Sequence, residues 1–268
     1  MEPWKYEPAR DLDLSPLEKA RSIRREAGLF ETAGHLMWLG IVKTYLKAYH
    51  RLSIVGRERL PCAPPFVLVS NHTSHLDGLT LASVLPWKLC DRVFPVAAGD
   101  VFFETPIVSF FAASFINALP MWRRNCGIHA LKELRDRLIG EPCGYILFPE
   151  GTRSRDGSMG SFRAGLGMLV AGTQVPVVPC NLQGAHRALP PGSRWPRPYR
   201  LRLVIGSPLL FEGVSDDREG WAKIARRSED AVRALARGPH PGDGPALSPG
   251  TTPGPLSPRG AAKGPDAP

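Results

Sequence analysis

Cysteine is scarce in this 268-residue chain and badly spaced for structural use. The five are Cys62, Cys90, Cys126, Cys143 and Cys180. Their odd number and the lack of any Cys-x-x-Cys pair signal neither a disulfide framework nor a cysteine-rich zinc site. Reduced thiols on the cytoplasmic side of a membrane are the reading that fits. The start, Met1-Glu2-Pro3-Trp4-Lys5, lacks the basic-then-apolar pattern of a secretion signal. Phosphate-loop and Gly-x-Ser-x-Gly elements are missing too, and Gly165-Leu166-Gly167 follows a charged loop rather than a strand, which weakens it as a dinucleotide signal. Acidic residues are in deficit, with 25 Asp and Glu against 34 Lys and Arg, a formal charge of +9. A basic body suits an anionic lipid surface, a phosphorylated substrate or a nucleic acid, but no nucleic-acid reading motif accompanies the charge. With 43% hydrophobic residues the chain is long and apolar enough to bury a full core.

Organisation follows from periodicity and punctuation. A basic helical piece is expected over 15–25, then a second helix over 29–49. In the second, Leu29, Phe30, Ala33, Leu36, Met37, Ile41, Tyr45 and Leu46 recur at three- and four-residue steps. Glu31, Lys43 and Lys47 interrupt it, so the expectation is an amphipathic pair of helices rather than a span. The second helix either packs on its own domain or lies in the lipid interface, with Trp38 and the lysines at headgroup level. From Leu52 short apolar strands alternate with helices: strands at 52–55, 66–69, 93–97, 115–121, 144–148, 175–179 and 201–205, helices at 75–84, 126–138, 164–172 and 217–237. This pattern argues for an α/β fold, a mixed, mostly parallel sheet flanked by helices. Residues 105–122 carry no charge, but Pro106, Ser109, Ser114, Asn117 and Pro120 favour a core or interface-dipping segment over a span. After Gly238 about half the residues are glycine or proline, the composition of disorder. The resulting division is a helical membrane-docking segment at 1–50, an α/β domain at 51–237 and a disordered tail at 238–268.

Two stretches carry chemistry. Asn71-His72-Thr73-Ser74-His75-Leu76-Asp77 follows an apolar strand and offers an imidazole with a carboxylate five residues on. A neutral imidazole accepts a proton from a hydroxyl, and a carboxylate behind it fixes the tautomer and stabilises the imidazolium. Five residues of regular helix would turn the two side chains about 140° apart. The pair therefore needs His72 on the loop and Asp77 in the first helical turn. Ser74 to Asp77 also has the form of a capping box, so Asp77 has a purely structural alternative. A further alternative is a metal-dependent hydrolase using His72, His75 and Asp77, although few other ligands stand in the folded middle. The second stretch, Phe148-Pro149-Glu150-Gly151-Thr152-Arg153, passes from a strand through proline and glycine to a basic turn. Glycine lets backbone approach a bulky anion and arginine presents paired donors to phosphate oxygens, with Arg163 near enough in sequence to add to them. Glu150 would orient Arg153 or bind a hydroxyl.

Together these residues resemble the glycerolipid acyltransferase family, whose best-known members make phosphatidic acid from lysophosphatidic acid. The family's Asn-His-x4-Asp (HX4D) is present as Asn71, His72 and Asp77. Phe-Pro-Glu-Gly-Thr-Arg is complete from Phe148 to Arg153, and Val-Pro-Val-Val-Pro runs from Val175 to Pro179. In the remaining block Arg123 is retained, while Asn117 replaces the family's glycine and Trp122 its acid. The resemblance implies an enzyme, a 1-acylglycerol-3-phosphate O-acyltransferase. His72 and Asp77 would act as the general-base pair, and Arg123, Glu150, Gly151, Thr152, Arg153 and Arg163 would hold the glycerol phosphate. It implies acyl-CoA or acyl carrier protein as donor, a lysophospholipid as acceptor, a membrane surface as partner, and no cofactor, metal or nucleic acid. Localisation would be peripheral or monotopic on the cytoplasmic face of a membrane. Trp122 leaves another lysolipid, glycolipid or aminolipid acceptor open.

Overall fold

Apolar segments too short for helices and bounded by turn residues pair into one seven-stranded sheet. The computed structural model describes residues 13–15, 18–19, 22, 29–98, 117–121 and 127–237. The strands are β1 (Ser53–Val55), β2 (Phe66–Ser70), β3 (Val93–Ala98), β4 (Leu119–Met121), β5 (Gly144–Leu147), β6 (Val177–Gln183) and β7 (Arg202–Ile205), in the order β1-β7-β6-β2-β5-β3-β4. All neighbours are parallel except β6 and β7. The mixed, mostly parallel sheet expected from the sequence is what forms.

The helices are α1 (Leu29–Ala48), α2 (Leu76–Val84), α3 (Gly127–Gly140), α4 (Gly165–Val170), α5 (Ala185–Ala188) and α6 (Arg218–Leu235). Chain order fixes their layers. From β2 the chain runs through α2 to β3, on the far side of β5; from β5 it runs through α4 to β6, on the far side of β2. Right-handed crossovers leaving two adjacent parallel strands in opposite directions put their helices on opposite faces. Core packing agrees. Leu76, Leu81 and Val84 of α2 cluster with Phe66, Leu68 and Ile146, whereas Leu166, Leu169 and Val170 of α4 cluster with Val67, Val69, Tyr145 and Leu147. Successive strand residues thus feed two separate cores, as strand alternation requires. The divergence opens a crevice beyond the carboxyl ends of β2 and β5, the place where open α/β sheets bind ligands.

Helix α1 corrects the expected stripe. Among its described side chains His35, Leu39, Val42 and Leu46 are buried, while Met37 and Ile41 are 60% and 53% exposed. The helix is apolar on both sides, so periodicity alone could not choose its inner face. It packs on the domain and still presents Met37 and Ile41 outward. Most of the other helix of the expected pair (15–25), most of the uncharged run 105–122 and the tail 238–268 lie outside the described residues. Among the described residues no helix is long and apolar enough to cross a membrane.

Candidate active site

At the carboxyl end of β2 the main chain leaves the sheet, and the Asn71 side chain takes over its pairing. Asn71 Nδ2 donates to the Leu182 carbonyl at 3.0 Å, and Leu182 N–H donates back to Asn71 Oδ1 at 2.8 Å. The amide thereby mimics one more residue of the β2–β6 ladder, which ends at Ser70 and Cys180, and frees the backbone to turn at His72.

His72 then sits on the loop and Asp77 is the second residue of α2, the placement the spacing requires. His72 Nδ1 lies 2.9 Å from Asp77 Oδ2. The same oxygen accepts the N–H groups of Thr73 at 2.6 Å and Ser74 at 2.8 Å. Asp77 is fully buried and the His72 side chain is 23% exposed. The capping box is half formed. Asp77 returns to the Ser74 N–H, but the Ser74 hydroxyl accepts from Leu76 N–H at 3.1 Å and donates to the Leu189 carbonyl at 2.8 Å. Asp77 caps the helix and holds the imidazole with one oxygen, so the two readings of this carboxylate are compatible.

The loop after β5 grips His72 from the other side. Phe148 stacks on the imidazole, ring centroids 4.1 Å apart at 17°. Glu150 Oε1 accepts the His72 N–H at 2.6 Å, its Oε2 accepts the Gly160 N–H at 2.8 Å, and Ser154 N–H donates to the His72 carbonyl at 2.8 Å. Glu150 is 7% exposed. Burial raises its pKa, and the two backbone hydrogen bonds oppose that rise. Its carboxylate meets backbone rather than Arg153, a role that spacing could not reveal because residue 150 is 78 positions from residue 72.

Gly151 has φ +76°, and a Cβ there would stand 2.9 Å from Arg163 Nε. The Arg163 guanidinium thus lies over the Gly151 backbone, and Thr152 is exposed beside it. Arg153 Nη1 hydrogen-bonds His75 Nε2. Burial, followed by the Arg153 charge, lowers the His75 pKa. His75 therefore joins the site through Arg153, and among the described residues no three His, Cys, Asp or Glu side chains gather as a metal group. Arg123 lies outside the described residues. Asn117, six positions before it, has φ +55° and donates from Nδ2 to the Cys90 carbonyl at 3.0 Å. Left-handed backbone is the conformation for which asparagine is the best substitute for glycine, which accounts for Asn117 at the family's glycine position. A polar, solvent-open cleft adjoins the loop, with Asn71, Thr73, Gln183, Arg187 and Arg233 in its lining.

Comparison with known proteins agrees with this geometry. The family model described as Acyltransferase matches residues 51–183. The chloroplastic 1-acyl-sn-glycerol-3-phosphate acyltransferase LPAT1 of Arabidopsis thaliana is 33% identical over 165 residues, 60% of this chain and 44% of that protein. The human 1-acyl-sn-glycerol-3-phosphate acyltransferase alpha is 31% identical over 167 residues, 62% of this chain and 58% of that protein. The chain thus spans about half the length of these curated relatives. In fold it is similar to the crystal structure of the 1-acyl-sn-glycerophosphate (LPA) acyltransferase PlsC from Thermotoga maritima. The TM-score is 0.59 at 24% identity, over 76% of this chain and 78% of that one. The matched segment, residues 51–183, contains the His72–Asp77 pair and the Glu150 loop that holds it, and by that segment the chain belongs to the glycerolipid acyltransferase family.

Proposed function

We propose that the protein transfers a fatty acyl group from acyl-CoA or acyl carrier protein to the free hydroxyl of 1-acylglycerol-3-phosphate, giving phosphatidic acid. The observation that carries this reading is the His72–Asp77 pair, 2.9 Å apart and held in a loop against the Gly151–Arg153 turn. Nδ1 faces Asp77, so Nε2 takes the proton of the acceptor hydroxyl. The hydroxyl oxygen attacks the thioester carbonyl carbon, and the imidazolium that forms is stabilised by the buried Asp77 carboxylate. As the C–S bond breaks, the proton passes from Nε2 to the leaving thiolate, so ester and free thiol form without an acyl-enzyme.

Arg153 and Arg163, with Gly151 and Thr152, hold the phosphate of the acceptor, and Arg123 joins them by its place in the third sequence block. Glu150 acts through His72 as a positioning residue. The polar cleft beside Asn71 and Thr73 gives room for the donor's carrier. Residues 1–50 dock the 51–237 domain on a membrane as a peripheral or monotopic element on the cytoplasmic face. The outward Met37 and Ile41, together with Trp87 beneath Lys43 Nζ at 4.3 Å, supply the apolar and interfacial groups.

Trp122 in place of the family's acid favours a second reading in which the acceptor is another lysolipid, glycolipid or aminolipid. Labelled acyl thioester offered with lysophosphatidate and uncharged lysolipids separates the two. Preference for the phosphate, reduced by Arg153→Ala, supports the first, and equal use of uncharged acceptors removes the phosphate clamp.

A further inference from the structure

Between α5 and β7 the chain makes an exposed excursion whose composition is unlike the rest. From His186 to Arg200 there is no acidic residue, and Arg187, Arg194, Arg197 and Arg200 are all exposed. At its tip Trp195 is 81% exposed, more than any other large hydrophobic residue described. An indole held in water is unfavourable, while an indole flanked by arginines suits the headgroup layer of a bilayer.

The loop is also firmly tied. Arg197 N–H donates to the Ala188 carbonyl at 2.7 Å and Arg187 Nη1 to the Tyr199 hydroxyl at 2.9 Å, so the excursion is closed at its base. Two contacts decide what it adjoins. Tyr49, just past the end of α1, donates its hydroxyl to the Pro196 carbonyl at 3.1 Å. The C-terminal end of α1 therefore adjoins the residue next to Trp195. At the other end Ser74, two residues from His72, donates its hydroxyl to the Leu189 carbonyl at 2.8 Å. The loop bridges the C-terminal end of α1 and the His72 loop.

We infer that residues 190–199 form a second membrane-contact element. Trp195 enters the headgroup layer and Arg194 and Arg197 engage anionic lipid, so the mouth of the His72 site is seated on the bilayer beside α1. The inference takes the interfacial orientation of α1 from the proposed function and needs none of its chemistry.

The test uses the full-length chain and vesicles of phosphatidylcholine with or without phosphatidylglycerol. Arg194→Glu/Arg197→Glu should weaken binding to the anionic vesicles at least about tenfold, since each basic group near such a surface adds about 1 kcal/mol. Fluorescence quenching by lipids brominated near the headgroup should fall when Trp195 is replaced by Phe. Turnover of a dispersed short-chain acceptor should stay at the wild-type level in both variants, which also reports folding. Unchanged vesicle affinity with unchanged quenching overturns the inference. So does loss of self-association in Trp195→Ala at constant vesicle affinity, which would make the loop a contact between copies of the chain. If only Met37→Glu/Ile41→Glu releases the protein from vesicles, docking by α1 stands and the loop has no part in it. A chain without transferase activity would still answer the binding question.

Discussion

His72 Nδ1 and Asp77 Oδ2 stand 2.9 Å apart, although five residues of continuous helix would point the two side chains about 140° away from each other. The loop-to-helix junction closes that angle, and it does so with the carboxylate oxygen that also binds the N–H groups of Thr73 and Ser74. Asp77 Oδ1, in contrast, has no hydrogen-bond partner among the described residues.

This asymmetry makes Asp77→Asn an informative variant. The amide oxygen can keep all three N–H bonds while its NH2 takes the place of Oδ1, a buried position without a partner, so the loss of stability should stay within about 1–3 kcal/mol. What is lost is the charge that stabilises the imidazolium, and kcat should fall about a hundredfold or more. Melting curves and steady-state kinetics check the two halves; a stable variant with full kcat would remove Asp77 from the mechanism.

Glu150→Gln should act differently. An amide must place its NH2 against the N–H of either His72 or Gly160, leaving a buried donor unmet, at about 1–3 kcal/mol. Both stability and kcat should drop, with the acceptor KM little changed, since the side chain grips His72 rather than the phosphate. A variant in which only the acceptor KM rises would return Glu150 to the binding clamp.

Gly151→Ala probes the turn itself. At φ +76° an alanine costs about 1–2 kcal/mol, and its methyl would press on Arg163. Kinetics should show a raised KM for a phosphate-bearing acceptor and a smaller effect with an uncharged one.

Much of this was legible in the sequence because short apolar strands and their punctuation are local. The loop after β2 began where Val69-Ser70-Asn71 said it would, and the Phe148–Arg153 block left its strand at the proline. What could not be read depends on distant partners. Glu150 meets the His72 backbone only because β2 and β5 are neighbours, and Asn71 extends the ladder only because β6 runs past Pro179 to Gln183. The inner face of α1 is not encoded by periodicity because that helix is apolar on both sides; its buried His35 bonds Asp91 at 2.5 Å, a contact that depends on a distant residue.

Packing between α4 and α6 gives a stability prediction away from the site. A Cβ at Gly167 would lie 2.3 Å from the Trp221 Cα, and backbone cannot yield as a side chain tip can. Gly167→Ala should destabilise by about 1–3 kcal/mol or more, measured by denaturant unfolding.

His50 sets a pH dependence of stability. It is fully buried, with Nδ1 donating to the Tyr199 carbonyl at 3.0 Å and Nε2 accepting from the Tyr45 hydroxyl at 2.9 Å. Burial lowers its pKa, against the raising effect of the Tyr199 bond. Below histidine's ordinary value of about 6.5 the unfolded chain then binds the proton that the folded chain refuses. Stability should therefore fall as pH drops from 6.5 toward the lowered folded value. Burial and Arg153 shift His75 in the same direction. Unfolding curves at pH 7.5 and 5.5 should show the loss, and His50→Gln should reduce it; an unchanged slope in that variant would contradict the assignment.

The most direct measurement follows labelled acyl thioester into lipid product, with lysophosphatidate as acceptor, for the wild-type chain and for His72→Ala. The account predicts labelled phosphatidic acid from the wild type and at least about a hundredfold less from the variant, with lysolipid binding retained. Equal product from both proteins, or free fatty acid in place of the phospholipid, would contradict it.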